Sequence, residues 1–367
     1  MKEPLFHIVK RSAIVWWKGW LIRLAAIAAA LIFASIITLL LTGMNPFDVF
    51  KALVNGAVGT SRRRWMLAQG TAILLCISLA VTPAFKMRFW NTGAEGQVLA
   101  GGMATAAIMI LFGELPPLIL FPLMILSSIL AGAIWGVIPA IFKAKWNTNE
   151  TLFTLMMNYI AMKIVNYFSQ QWAVPKGSGK IGVINSSTQA GWLPSLFGQS
   201  YLINILIVVG ITAFIFVYLR YSKHGYEIAV VGESENTAKY IGINVKKVII
   251  RTMILSGSLC GLAGFLLVSG TDHTITAETV GGQGFTAIMV SWIAKHDPLV
   301  MIVVSALIVF LTRGAGEISS TLGLDKSFSD ILTGIIILFI IGCEFFINYR
   351  MIFRGKKLEA VSGEGIK

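Results

Sequence analysis

The chain has 367 residues, of which 56% are hydrophobic and 13% are charged, and its formal net charge is +13. Soluble domains carry about 25% charged residues, so this composition excludes an ordinary soluble domain and indicates an integral membrane protein. The Lys and Arg residues cluster at the ends of apolar segments, with no basic stripe interleaved with aromatic residues. We therefore expect these charges to meet lipid headgroups rather than nucleic acid.

Apolar runs predict about ten membrane segments. Residues 1–23 are basic and carry Trp16, Trp17 and Trp20, which predicts an interfacial helix with an aromatic anchor. The first membrane helix is predicted at 24–42. The remaining segments are predicted at 66–85, 93–112, 118–142, 151–170, 201–219, 248–268, 285–294, 299–312 and 328–347. The segment 285–294 is short, so the sequence leaves open whether it crosses the bilayer or only enters it.

The distribution of Lys and Arg predicts the orientation. These residues are more abundant in the regions that are cytoplasmic if both termini lie inside, as the positive-inside rule requires. We accordingly expect a membrane domain over 24–347, an inside loop at 221–247, an outside loop at 171–200 and a cytoplasmic tail at 348–367. The basic triplet at 62–64 falls outside in this arrangement, and the rule does not explain it.

Two polar clusters interrupt the apolar segments. The first contains Asn91, Glu95 and Gln97 beside several glycines. Buried amides and carboxylates are costly unless they pair or meet water, so these side chains line a polar cavity, pair with one another or cap a helix at the interface. The second cluster contains Asn158, either an interhelical hydrogen-bonding group or a ligand contact.

Small residues recur at spacings of three or four residues on one face of each of two predicted helices, where they let helix backbones approach closely in lipid. They are Ser128, Gly132 and Gly136 in segment 118–142, and Gly257, Gly261 and Gly264 in segment 248–268. We interpret them as packing positions.

Residue spacing predicts no catalytic or metal site. Cys76, Cys260 and Cys343 each lie in an apolar run without a second Cys or His at ligand spacing. No serine triad, metal box or phosphate loop of the GxxxxGK type can be assembled from the sequence. We expect no disulfide, no metal and no ATP hydrolysis by this chain.

The inside loop at 221–247 is the largest polar insertion between apolar segments. A polar helix held between two membrane helices offers a surface that a cytoplasmic partner can bind, so the sequence favours a membrane subunit driven by a partner. Two alternatives remain. One is an ion-coupled secondary transporter with Glu95 and Lys163 as relay groups, and the other is a scaffold or receptor without transport.

At these motifs the sequence resembles permease subunits of ATP-binding cassette (ABC) importers for simple sugars and nucleosides, with the nucleoside branch favoured. The motifs that carry the resemblance are NTGAEGQ (91–97), NETLFTLMMNYIA (149–161), GESENTAKYIGINVKK (232–247), LSGSLCGLAGFLLVSG (255–270) and GFTAIMVSW (284–292).

The resemblance implies an all-α integral membrane protein of the bacterial plasma membrane with the ABC importer permease fold. It implies as partners a cytoplasmic ATPase that binds the ATP, a second, related but non-identical permease, and an extracellular substrate-binding lipoprotein. The family's coupling helix corresponds to 225–242, with its positions at Gly225, Glu233, Ala238 and Gly242.

The substrate pathway is predicted to contain the polar residues of both clusters and one position that departs from the family pattern. These residues are Asn91, Glu95, Gln97, Asn158 and Trp292. Trp292 stands where the family usually has a small residue, which leaves the choice of nucleoside or sugar open.

Overall fold

The computed structural model describes residues 6–10 and 16–353, and their regular secondary structure is helical apart from one pair of strands. The helices are α1 (Trp16–Thr42), α2 (Pro46–Val58), α3 (Ser61–Lys86), α4 (Ala94–Leu111), α5 (Pro117–Trp146), α6 (Glu150–Gln171), α7 (Leu202–Tyr221), α8 (Lys223–Glu233), α9 (Glu235–Tyr240), α10 (Val245–Leu267), α11 (Gln283–Ile293), α12 (Pro298–Leu322) and α13 (Lys326–Asn348). A π-helical turn, Val268–Asp272, extends α10. The strands are β1 (Phe6–Lys10) and β2 (Tyr349–Phe353).

Seven helices in the described ranges are long and apolar enough to cross a membrane. They cover Leu24–Thr42, Ser61–Lys86, Ala94–Leu111, Pro117–Trp146, Leu202–Tyr221, Val245–Asp272 and Pro298–Ile318. Helix α6 was also predicted as a span, but it is not among these seven helices because its polar residues lower its mean hydropathy. The total of ten segments and the inside location of both termini stay predictions.

Helix α11 is too short to cross the bilayer by itself. Its 11 residues extend about 16 Å at 1.5 Å per residue, against a hydrocarbon core of about 30 Å. The segment predicted at 285–294 therefore forms a helix that is too short to span the bilayer, and its entry into the bilayer stays a prediction.

The chain divides into two compact units, and the smaller one combines both ends of the chain, Met1–Gly59 and Phe310–Lys367. In its described part, α1 packs against α13 and β1 pairs antiparallel with β2, so that Phe6 lies opposite Phe353. The expectation of one helix over 1–23 is wrong at 6–10, because this segment forms its backbone hydrogen bonds with a strand more than 300 residues away, which local pattern cannot reveal. The predicted tail contains β2, and its part beyond residue 353 lies outside the described residues.

Helix α2 was not predicted, although the sequence contains its start signal. The side chain of Asn45 accepts a hydrogen bond from the backbone N–H of Phe47 at 3.0 Å, and Pro46 occupies the first helical turn. An Asn cap followed by proline is a typical helix start. This stretch lies between the first two predicted membrane segments, and the apolar face of α2 is too short to be predicted as a span.

The larger unit, Thr60–Val309, is built around α10, which packs against α3, α4 and α5. Most of α10 is buried, including Met253, Phe265 and Leu266. A helix surrounded on several sides must be largely free of charge on every face, and α10 meets this requirement beyond Arg251 with small and apolar residues. It is the central helix of this unit.

The predicted packing residues lie where α10 meets its neighbours. A Cβ atom added to Gly132 would overlap the carbonyl oxygen of Gly257, and one added to Gly261 would overlap that of Ser128. Gly136 lies against the backbone of Met253. Helices α5 and α10 are therefore in backbone contact along the two small-residue faces.

A second backbone contact joins α10 to α4. A Cβ atom on Gly264 would overlap the carbonyl oxygen of Val98, and one on Gly101 would overlap the backbone of Gly261. Gly101 was not singled out from the sequence, although it lies in a run of small residues that carried the same signal. The two contacts fix α4 and α5 on α10 without intervening side chains.

Substitution of Gly132 by alanine is expected to destabilise the protein. The added methyl group has no space between α5 and α10, and overpacking of this kind costs about 1–3 kcal/mol. Thermal unfolding in mild detergent measures the effect. Gly210→Ala is the matched control, because Gly210 lies within α7 with open space around its Cβ position; its Tm should be unchanged or slightly higher. Equal Tm values for Gly132→Ala and the wild type would contradict the close contact.

Candidate functional site

Helix α4 begins without a local cap and is capped by a side chain from α6. Its N-cap residue, Gly93, offers no side chain. The Oδ1 atom of Asn158 accepts a hydrogen bond from the N–H of Gly96 at 2.8 Å, and its Nδ2 atom donates to the carbonyl oxygen of Thr92 at 2.8 Å. The first N–H groups of a helix need partners from outside the helix. Asn158 supplies one of them and thereby ties α6 to the start of α4.

Helix α11 is capped in the same way by Glu95 of α4. The backbone N–H of Gly282 donates to Oε1 at 2.8 Å, and that of Gly284 donates to Oε2 at 2.9 Å. A carboxylate at the positive end of a helix dipole is stabilising, and Glu95 is only 2% exposed. Gly282 has φ +78° and a Cβ on Gly284 would lie 2.6 Å from the N atom of Glu95, so glycine is required at both positions.

A reciprocal amide pair joins this region to α10. The Nε2 atom of Gln97 donates to Oδ1 of Asn91 at 3.0 Å, and Nδ2 of Asn91 donates to Oε1 of Gln97 at 3.3 Å. The same Nδ2 atom donates to the hydroxyl of Ser256 at 3.1 Å. Both amides are at most 1% exposed, so each satisfies the other, as burial requires.

The structure therefore brings four of the five predicted pathway residues together: Asn91, Glu95, Gln97 and Asn158. We call this set the polar junction. In the conformation described, its polar atoms bond to one another and to the starts of α4 and α11. The helix-capping interpretation accounts for this arrangement, and a role in a substrate pathway stays a prediction.

Trp292 does not belong to the polar junction. It lies in the last turn of α11, at the opposite end from Glu95, and is 49% exposed. Its ring centroid is 5.0 Å from that of Trp90. Ser291 beside it is buried and bonds with the hydroxyl of Thr82 at 2.9 Å. The fifth predicted pathway residue thus lies in a separate aromatic cluster.

The inside loop contains two short helices, α8 and α9, instead of one. Ser222, Ser234 and Asn244 cap α8, α9 and α10 in turn, each accepting a hydrogen bond from a backbone N–H three residues ahead. These caps follow the usual preference for Ser and Asn at helix starts. The segment therefore consists of short helices whose starts are each fixed by a cap.

The predicted coupling residues occupy different places in this segment. Gly225 lies with its backbone against the carbonyl groups of Tyr218 and Leu219. Ala238 is fully buried, Glu233 is exposed, and Gly242 has φ +84° at the turn between α9 and α10. Gly225 thus allows a close contact between α8 and the end of α7, Gly242 allows a tight turn, and Ala238 packs α9 against the larger unit.

An ion pair that the sequence did not reveal attaches α8 to α10. The Nη2 atom of Arg251 donates to Oε2 of Glu227 at 2.7 Å, and Nδ1 of His224 lies 3.7 Å from the same oxygen. The hydrogen bond from Arg251 lowers the pKa of the Glu227 carboxyl below its ordinary value. The partners are 24 residues apart on separate helices, so no helical spacing pointed to them.

Within residues 6–10 and 16–353, no group of three His, Cys, Asp or Glu side chains is placed to hold a metal ion. Both oxygens of Glu95 accept backbone N–H groups of the α11 start, whereas Lys163 lies exposed on α6. This placement gives no support to a relay between Glu95 and Lys163.

Removal of the Glu95 carboxylate is expected to destabilise the start of α11. Glu95→Ala leaves two buried N–H groups without their acceptor, at about 1–3 kcal/mol for each group. Glu95→Gln should be less severe, because one amide oxygen still accepts. Thermal unfolding of both variants tests this, with Glu278→Ala at an exposed glutamate as the control. A Tm for Glu95→Ala equal to that of the control would refute the cap.

The Glu227–Arg251 pair should make stability depend on pH. A carboxyl group with a lowered pKa in the folded state stabilises the fold at neutral pH, and this contribution is lost as the pH falls through the folded pKa. Glu227→Gln should therefore lower stability by about 1 kcal/mol or less at pH 7. Its Tm difference from the wild type should narrow below about pH 5. Glu114→Gln, at an exposed loop residue, is the control; a difference that stays constant down to pH 3.5 would argue against the pair.

Comparison with known proteins places these features in a family. Residues 65–341 match the family described as branched-chain amino acid transport system / permease component. The guanosine ABC transporter permease protein NupP of Bacillus subtilis is 30% identical over 325 residues, which is 87% of this chain and 92% of that protein. The nucleoside ABC transporter permease protein NupB of Lactococcus lactis subsp. cremoris is 28% identical over 332 residues, or 87% and 90%. The glucose ABC transporter permease protein TsgB13 of Haloferax volcanii is 27% identical over 289 residues, or 76% of each chain.

The match covers the larger unit almost completely and includes the polar junction and the inside loop. Together with the apolar helices, it confirms a multi-pass protein of the bacterial plasma membrane that acts as a transport subunit and is not itself an enzyme. The chain belongs to the permease component family of branched-chain amino acid transport systems, and its relatives are permease subunits of ABC transporters.

Proposed function

We propose that this chain forms, with a related permease, the pathway of an ATP-driven importer for a nucleoside. The observation that carries the choice of substrate is the match to two relatives named for guanosine and nucleoside, each over 87% of this chain. The relative named for glucose matches a smaller share, so simple sugars are the second substrate class. Import into the cytoplasm requires a substrate-binding lipoprotein outside and an ATPase inside.

The surface for the ATPase is the end of α9. Tyr240 is 92% exposed and Ile241 is 50% exposed, although both are large and apolar. Exposed apolar side chains on an otherwise polar segment are typical of a protein contact. In this proposal the ATPase binds ATP, this chain holds no cofactor, and α9 receives the motion of the ATPase dimer.

Motion of α9 reaches the membrane helices through three attachments. Gly242 joins α9 to α10, the Glu227–Arg251 pair holds α8 to α10, and the backbone of Gly232 lies against the carbonyl group of Lys86 at the end of α3. Because α10 is in backbone contact with α4 and α5, a shift of α10 must displace them as well. A transport subunit needs such a two-state element that the partner can bias.

The polar junction is the proposed recognition element. Its amide groups and the N–H groups of two helix starts bond within the chain in the conformation described. Displacement of α4 relative to α11 would free the Glu95 carboxylate and the N–H groups of Gly282 and Gly284, and displacement of α4 relative to α6 would free the Asn158 amide. A nucleoside offers hydroxyl groups and base edges without a fixed charge, and amides suit both.

Uptake of labelled nucleoside tests the function. Cells carrying this chain with its partner permease, ATPase and binding lipoprotein should accumulate nucleoside, and cells with an ATPase-dead partner should not. Uptake that survives loss of the ATPase but disappears when the ion gradient is collapsed would favour an ion-coupled carrier instead. Uptake of simple sugars and not of nucleosides would show that the substrate is a sugar, and the ATP-driven mechanism would still hold.

Substitution at Gly242 should uncouple transport. A side chain at φ +84° strains the turn after α9 by about 1–2 kcal/mol, so Gly242→Ala is expected to displace Tyr240 and Ile241. Nucleoside uptake and co-purification of the ATPase should both fall severalfold. Gly198→Ala is the matched control, because Gly198 has φ +74° and an open Cβ position in the outside loop. Normal uptake in Gly242→Ala, or an equal loss in both variants, would remove the assignment of α9.

A further inference from the structure

A cavity lies at the opposite end of α11 from the polar junction. It has a volume of about 640 Å³ and opens between the last residues of α3, α8 and α11. Cavities of roughly 300–1,000 Å³ hold small organic molecules. The hydrogen bonds of the polar junction and the Glu227–Arg251 pair do not use the side chains that line it. We call it the inner pocket, since it lies on the side predicted to face the cytoplasm.

One wall of the inner pocket is aromatic. The centroids of Trp90 and Trp292 are 5.0 Å apart, and Phe85 lies 5.9 Å from the first and 6.2 Å from the second. The two indoles are 43% and 49% exposed, so parts of both ring systems are open to a ligand. Exposed indole surface of this kind stacks on planar heterocycles, including nucleobases.

The other wall is basic. Lys86, Arg88, Lys295 and His296 line the pocket together with Glu233. Burial and the charge of Lys86 lower the pKa of His296, so the positive charge belongs mainly to the two lysines and the arginine. Three cations around one cavity favour an anion. Glu233 adds an acceptor for N–H groups of a bound base.

The backbone around these cations is held in an uncommon conformation. Arg88, Lys295 and His296 have φ values of +60°, +51° and +63°, a region that residues other than glycine seldom adopt. In both connections this conformation ends a helix: the N–H of Phe89 donates to the carbonyl oxygen of Ala84, and that of His296 donates to the carbonyl oxygen of Ser291. Arg88 follows α3 and the other two follow α11, so two separate connections direct basic residues to the same pocket.

Helix α8 forms the third wall, through Ala229, Gly232 and Glu233. A Cβ atom on Gly232 would overlap the carbonyl oxygen of Lys86, so α8 and the end of α3 are in backbone contact beside the pocket. A ligand that contacts α8 and both basic connections would hold α8 in this position. In the proposed importer, α8 has to move with α9 during each cycle.

We propose that the inner pocket binds a nucleoside monophosphate from the cytoplasm and that this binding slows import. The base meets the aromatic wall, the phosphate meets the basic wall, and a ligand of this size fits the cavity. A free nucleoside lacks the charge, and inorganic phosphate lacks the ring. The choice of ligand rests on the proposed nucleoside substrate, because a kinase-type reaction converts an imported nucleoside into this product.

Binding is tested on the purified full-length chain in lipid nanodiscs by isothermal titration. Guanosine monophosphate should bind more tightly than guanosine or inorganic phosphate. Loss of one charged contact in Arg88→Gln should weaken its binding by about tenfold or more. Trp292→Leu should weaken it as well through loss of stacking.

Two matched controls change a lysine and a tryptophan that are neighbours outside the inner pocket. Lys145 lies 5.8 Å from the ring of Trp146 near the end of α5, away from the inner pocket. Lys145→Gln and Trp146→Leu should bind guanosine monophosphate like the wild type. Lys295→Gln provides a second pocket variant if Arg88→Gln proves unstable. Equal affinity for guanosine and its monophosphate overturns the proposal, and so does unchanged affinity in Trp292→Leu together with Arg88→Gln or its replacement Lys295→Gln.

Transport by the reconstituted complex tests the regulatory effect. With ATP supplied at the inner face, added guanosine monophosphate should slow nucleoside import by the wild type and leave Arg88→Gln unaffected. Equal slowing of both would assign the inhibition to the ATPase and overturn the effect proposed here. Failure of nucleoside import without added monophosphate would count against the proposed function and leave the binding result as a separate test of the pocket.

Discussion

The capping of helix starts by side chains from other helices is the constraint on which the polar centre of this protein depends. Two helices, α4 and α11, begin inside the fold with N–H groups that no residue of their own turn satisfies. Within a membrane domain water does not reliably take this place, and each unpaired group costs several kcal/mol. Asn158 and Glu95 supply the missing acceptors. The positions of α6, α4 and α11 are thereby linked in series.

Close helix contact complements this link. Where α10 meets α4 and α5, glycines bring the helix backbones into direct contact. Because no side chains lie between the helices, a displacement of α10 is not taken up by side-chain rearrangement. Packed elements of this kind move as units between alternative arrangements. The attachment of α8 and α9 to the same helix through Gly242 and the Glu227–Arg251 pair gives a partner bound at the inside loop a mechanical route to the polar junction.

The two ends of α11 have different chemistry. At its start, a carboxylate and a buried amide pair are fully bonded within the protein. At its end, exposed indoles and basic residues surround a cavity. The short helix therefore lies between a region where polar atoms stabilise the fold and a region where aromatic and basic side chains line a cavity.

The sequence by itself determined the class of the protein, most of its helices, the special residues Asn91, Glu95, Gln97 and Asn158, and the small-residue faces of α5 and α10. Composition and periodicity are local properties, and a buried polar residue is conspicuous in an apolar segment wherever its partner lies. Only the tertiary structure shows which groups those residues bond to. The cap of α11 by Glu95, the pairing of β1 with β2, the Glu227–Arg251 ion pair and the convergence of Arg88 and Lys295 on one pocket each join segments that are distant along the chain. Such contacts depend on how helices pack in space, and no repeat or spacing in the sequence encodes them.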